Sequence, residues 1–153
     1  MSPPDEADET SARQAAMAAC AEARGDELEA ALAALDPGEV EELRLPETGL
    51  VMLRGRMGGD GQPFNVGEAT VTRAAVRLAA TGAVGHAWHL GRDRVRARAA
   101  AVLDALWQSP TTRAHVEAAL APVRARLDAE RAARARQAAA TRVEFFTLVR
   151  GED

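Results

Sequence analysis

The sequence predicts an α+β fold: an antiparallel β-meander of three to four strands, with helices before it, a helical segment after it and an apolar tail at the end. Three observations carry this. The stretch from Glu47 to Arg92 alternates with a period of two, as a half-covered strand does. Ala- and Arg-rich sequence on both sides of it places apolar residues three and four apart, the helical spacing. Turn signals divide the alternating stretch, among them Gly58-Gly59-Asp60-Gly61 and Thr81-Gly82.

Residues 1–10, MSPPDEADET, combine two prolines and four acids with almost nothing to bury, the composition of a disordered acidic tail. Helix is expected from near Ser11, capped by Thr10 or Ser11, with Ala16, Met17, Cys20 and Ala23 on one face. Gly25 ends it, and Asp26 caps a shorter helix with Leu28, Leu32 and Leu35 in one stripe. Asp36-Pro37-Gly38 is a turn.

Val40 to Leu45 reads as a strand that Pro46 confines to an edge or ends. The meander proper begins at Gly49, with Val51, Leu53 and Met57 on one face and Leu50, Met52, Arg54 and Arg56 on the other. Gly58 to Gly61 supplies residues that tolerate positive φ and makes the hairpin connection. The return strand runs from about Phe64 to Leu78, with an irregularity at Gly67. In it Thr72, Ala74, Val76 and Leu78 oppose Val71, Arg73, Ala75 and Arg77, although the alanines of residues 72–80 also allow a helical turn or two. The next strand puts Val84, His86, Trp88 and Leu90 on one face and His89 on the other.

Arg92 opens a helical run to Trp107, which Gln108-Ser109-Pro110 ends. A short helix starts at Thr111 or Thr112, and Pro122 opens a longer one at whose first turn proline is tolerated. Beyond Val123 and Leu127 that last run has little apolar surface, so it is either exposed or in need of a partner. The terminal TRVEFFTLVRGED, by contrast, concentrates Val143, Phe145, Phe146, Leu148 and Val149 in a terminal segment, and these need something to pack against.

Composition bounds the function. Aromatics are 3% of the chain, so the core must rest on Leu, Val and Ala with a few anchors among Trp88, Trp107, Phe64, Phe145 and Phe146. All 19 basic residues are arginine. Residues 1–47 carry 13 acidic and 3 basic side chains, while residues 48–153 carry 10 and 16, an acidic leading segment beside a basic body that favours anionic partners or substrates. Cys20 is the single cysteine, which excludes an internal disulfide and an all-cysteine metal site and suits a reducing cytoplasm. The start has no basic-then-apolar secretory pattern, and no run approaches the ~20 apolar residues of a membrane span. A soluble, cytoplasmic protein is expected.

Few constellations carry chemistry. His86 and His89 fall on opposite faces of a strand and share no metal; no metal site is expected. The GGDG run lacks the Lys-Ser/Thr ending of a phosphate loop and reads as a hairpin turn. Arg54, Arg56, Arg73 and Arg77 could share a sheet face if their strands pair, with Glu47, Glu68 and Asp93 near enough to neutralise some of them. Such a group is either a solvated face with surface ion pairs or a basic patch for an acidic partner or a polyphosphate. No catalytic residue is assigned. A nucleic-acid-binding module is disfavoured by the negative net charge and the absence of interleaved aromatic and basic residues.

The blocks ETGLVMLRGRMGGDGQPFNVGEATVTRAAVRL, GHAWHLGRD and RVEFFTLVRG, in this order, resemble the PhnG subunit family of the bacterial carbon-phosphorus lyase system. The resemblance implies a single domain over residues 11–153, with 141–153 as a partner-docking tail. It implies an accessory subunit of a cytoplasmic hetero-oligomer containing PhnI, PhnH and PhnJ, with PhnL acting functionally. In that pathway a phosphonate is joined to ATP with loss of adenine, giving a ribose 1-alkylphosphonate 5-triphosphate; ATP is a substrate of the complex, and this subunit itself needs no cofactor. The expected partner surfaces are the four arginines and the tail residues Val143, Phe145, Phe146 and Leu148. A pure interaction module with no part in the chemistry is the alternative, and the isolated chain is compatible with either a monomer or a homodimer.

Overall fold

A computed structural model describes residues 6–140. The elements are α1 (Glu6–Glu22), α2 (Gly25–Ala33), β1 (Val40–Arg56), β2 (Pro63–Leu78), β3 (Val84–Leu90), α3 (Arg94–Trp107) and α4 (Pro110–Ala140). The three strands form one antiparallel sheet in the order β1-β2-β3, so the α+β meander is as the alternation required, with three strands. Residues 72–78 are strand and not helix. No helix among the described residues is long and apolar enough to cross a membrane.

Helices cover one face of the sheet. β2 turns Thr72, Ala74, Val76 and Leu78 inward, and β3 adds Ala87 and His89, all buried. Against them α3 lays a face made largely of alanine: Ala97, Ala100, Ala101 and Ala105 are at most 1% exposed. Small side chains let the helix axis come close. At Gly85 the approach is so near that an added Cβ would overlap the Ala101 carbonyl oxygen and stand 2.5 Å from the Ala105 nitrogen. Behind α3 lie α1, α2 and α4, contributing Ala16, Cys20, Leu28, Val116, Leu120, Val123 and Leu127 to the same core. Cys20 is a small buried hydrophobe there, its thiol pushed up to about 12 by burial.

Several boundaries differ from the sequence expectation. α1 starts at Glu6 and not near Ser11, so residues 6–10 are helix and not disordered tail. Asp8 and Glu9 lie in its N-terminal turns, where negative charge favours helix, and Glu9 also pairs with Arg113 of α4. α2 is entered from Arg24, whose backbone N–H donates to the Glu27 carboxylate at 2.8 Å. α3 begins after Asp93, which caps the Arg96 N–H at 2.9 Å, two residues later than expected. The segment from Pro110 to Ala140 is one helix, with Pro122 inside it. Pro122 removes one intrahelical donor, but Val116, Leu120, Val123 and Leu127 are buried on both sides of it, and that packing holds the helix through the interruption.

β1 likewise does not stop at Pro46. It continues to Arg56 and absorbs the proline within the second of two register shifts, Glu42/Arg44 and Arg44/Glu47, on the edge of the sheet where a missing donor costs little. The irregularity expected at Gly67 is present. Leu53 pairs with Gly67 but Arg54 with Asn65, so β2 carries one extra residue there.

The close approach at Gly85 gives a direct test. Gly85→Ala should destabilise the protein by about 2–4 kcal/mol, because backbone atoms of α3 and the Ala105 Cβ lie in the way and none of them can swing aside. Gly67→Ala, with nothing within 4 Å, should stay within about 0.5 kcal/mol, both read from urea denaturation midpoints.

Candidate functional site

β3 pairs with β2 only from Val71 to Arg77, and α3 ends its cover at the same level. Beyond that point β1 and β2 continue as a two-stranded arm, Leu50–Arg56 paired with Pro63–Thr70 and closed by a turn at Met57–Gly61. Gly58 and Gly59 sit at φ of 64° and 84°, which glycine adopts without strain. The sequence of the arm is apolar on both parities, a pattern that normally means both faces are covered. Here neither is. Leu50, Met52, Leu53, Met57, Phe64 and Val66 are 45% to 78% exposed. Covering each would contribute on the order of 1 kcal/mol, and a bare hairpin of this kind is marginal by itself.

The register sorts the arginines. Arg73 and Arg77 project from the uncovered face of the sheet, opposite the inward Thr72, Ala74 and Val76. Both are occupied: Arg73 donates to Glu47 at 2.7 Å and Arg77 to Glu41 at 3.1 Å. Arg44 shares Glu47 at 2.6 Å, and the two guanidiniums, Arg44 first, hold that carboxyl below its ordinary range. Arg73 also lies 5.3 Å over the ring of Trp88, which is 55% exposed. Glu47, Arg73, Trp88 and Val51 border a shallow depression of about 260 Å³.

Arg54 and Arg56 stand on the other parity of β1, with Met52 and Thr48, out on the arm. The four arginines therefore do not share one face. The bulge that shifts register at Leu53/Arg54 is taken up by β2, so β1 keeps its alternation and carries Arg54 to the helix side. Neither Arg54 nor Arg56 has an ion pair among the described residues. Glu41, which the sequence reading passed over as a partner of Arg77, is its direct cross-strand neighbour. Glu68 and Asp93 make no pair with these arginines. Val143, Phe145, Phe146 and Leu148 lie outside the described residues.

Of the expected aromatic anchors that lie among the described residues, Trp107 is in the core, and Phe64 and Trp88 are exposed. Trp107 donates to Glu117 at 2.6 Å and carries Arg113 over its ring at 4.3 Å. His86 and His89 do point to opposite faces, His86 outward and His89 inward. Among the described residues no group of three His, Cys, Asp or Glu side chains is placed to hold a metal.

Comparison with known proteins gives two findings. Residues 11–151 match the family described as phosphonate metabolism protein PhnG. A relative from Rhizobium meliloti (strain 1021), named alpha-D-ribose 1-methylphosphonate 5-triphosphate synthase subunit PhnG, is 62% identical over 118 residues, covering 77% of this chain and 75% of that protein.

His89 provides a pH test of the helix-covered face. Burial first, and Arg96 second, push its pKa down to about 4, so the folded chain holds it neutral. The unfolded chain takes up the proton near pH 6.5, so the stabilising contribution is complete above that value and is lost as pH falls toward 4. Stability should drop by up to about 3 kcal/mol across this window, measured by urea denaturation, and His89→Leu should flatten the profile there.

Proposed function

The chain belongs to the PhnG family, and on that footing we propose that it is an accessory subunit of a synthase that joins an alkylphosphonate to ATP with displacement of adenine, giving a ribose 1-alkylphosphonate 5-triphosphate. The observation that carries this reading is the 62% identity to a protein named as a subunit of the methylphosphonate version of that synthase. The bare apolar arm supports it, because six large exposed side chains on one hairpin suit a chain that works inside an assembly.

In this reading PhnI is the direct partner, PhnH and PhnJ complete the core complex, and PhnL acts with them in the cytoplasm. ATP is the substrate of the complex, and this subunit orders PhnI without supplying a reacting group or a cofactor. The tail residues Val143, Phe145, Phe146 and Leu148 give it a second hold on PhnI, as buried aromatic anchors do at interfaces. The competing reading, in which arginine reaches the triphosphate, would rest on Arg54 and Arg56, since Arg73 and Arg77 already have carboxylate partners.

The test is co-expression with PhnI followed by size-exclusion chromatography. The full chain should co-elute with PhnI, while truncation after Ala140, or Phe145→Ala with Phe146→Ala, should weaken assembly at least tenfold. Unchanged assembly of both variants removes the tail from the interface. Failure of the full chain to assemble overturns the accessory-subunit reading.

A further inference from the structure

An open strand edge is a template for pairing with another chain, and folded proteins guard such edges. Three of the edges here are guarded. On β3, Gln108 donates to the Val84 carbonyl at 2.7 Å and Asp104 accepts from the His86 N–H at 2.9 Å. On the arm, β2 opens with Pro63 and carries the extra residue opposite Leu53/Arg54. The first part of β1 has two register shifts and Pro46. The stretch Gly49–Arg56 of β1 has no proline and no bulge of its own, and none of its residues is buried along about 25 Å.

Charge says what kind of surface meets it. α1 and α4 run in the same direction, Glu9 meeting Arg113 near their starts and Glu22 meeting Arg131 further on. α3 and β3 run opposite to each other, with Gly91 bonded to Thr70 at the root of the arm. The arm, the β3–α3 connection and the last turns of α4 are therefore at one end of the molecule. That end holds Arg54, Arg56, Arg92, Arg94 and Arg136, all exposed and without ion pairs among the described residues, against Asp60, Glu68 and Asp93.

We infer that Gly49–Arg56 is a strand-addition site for a different protein chain, one that offers an open sheet edge with apolar flanks and carboxylates to meet Arg54 and Arg56. This rests on the accessory-subunit reading above and names the surface through which it acts. Added backbone hydrogen bonds hold the incoming strand, while Leu50 and Met52 on one face and Val51 and Leu53 on the other set its register. A second copy is the wrong occupant. Two arm ends brought together about a two-fold axis would set like charges against each other, and a head-to-tail contact would not close and would grow into filaments.

The experiment compares the isolated full chain with its complex with co-expressed PhnI by hydrogen–deuterium exchange, with binding measured across salt concentrations. Amides of residues 49–56 should exchange at least tenfold more slowly in the complex. The exposed pair Arg54→Glu and Arg56→Glu should keep the wild-type melting temperature, bind at least tenfold more weakly at low salt and show a flatter salt dependence. Leu50→Lys with Met52→Lys, altering different exposed side chains, should weaken binding comparably. A complex that forms with residues 49–56 unprotected, or with wild-type affinity in both pairs, overturns the site and leaves the subunit reading standing. Absence of any complex overturns both. An isolated chain that is already dimeric, with 49–56 protected, assigns the edge to a second copy and overturns the proposal. So does inorganic tripolyphosphate displacing PhnI through Arg54 and Arg56 without changing exchange at 49–56.

Discussion

Asp104 is an acidic side chain in the last turn of α3, 1% exposed, and three elements meet on its two oxygens. Arg13 of α1 grips it with both Nε and Nη2 at 2.8 Å, and the backbone N–H of His86 in β3 donates to it at 2.9 Å. A buried carboxylate without such partners costs several kcal/mol, and a two-pronged guanidinium with a backbone donor is the geometry that offsets it. The hydrogen bonds that Asp104 accepts in turn raise the pKa of Arg13. Through this one group the first helix, the last strand and the central helix are fixed relative to one another, and the free edge of β3 is closed.

Around that link the packing is economical. With few aromatics, the core depends on near approach: alanines on α3, glycine at position 85, and, among the described residues, one large aromatic anchor in Trp107. Such a core covers only one face of a short sheet. Among the described residues no helix covers the opposite face or the arm, and large apolar side chains of the arm are presented outward.

Charge follows the same division. Arginines over the body are consumed in internal ties, such as Arg98 to Glu42 at 2.5 Å and Arg126 to Glu27 at 2.6 Å, the latter holding Glu27 near a pKa of about 2. Those ties join α3 to β1 and α4 to α2. At the arm end, arginines go unmatched among the described residues. The acidic excess of the leading segment and the basic excess of the remainder are therefore not two separate surfaces; much of each cancels the other across α1, α2, β1 and α4, and the residue of positive charge collects where the apolar arm begins.

Much of this was legible in the sequence because it depends on local spacing. Period-two alternation identified the strands, the inward face of β2 and the opposite orientations of His86 and His89; turn chemistry located Gly38, Gly58, Gly59 and Gly82, all at positive φ. The helix through Pro122 was not legible, since a local rule against proline is overridden by burial on either side of it. Neither was the separation of Arg54 and Arg56 from Arg73 and Arg77, because one extra residue in β2 decides it and cannot be counted without the pairing partner. The alternating stretch from Glu47 to Arg92 thus determined by itself that there is a meander and which side chains alternate. Only the tertiary structure decided that β3 and α3 stop short of its far half, because how far cover extends depends on the lengths of elements distant in sequence, and that is what turns half of a core sheet into an exposed arm.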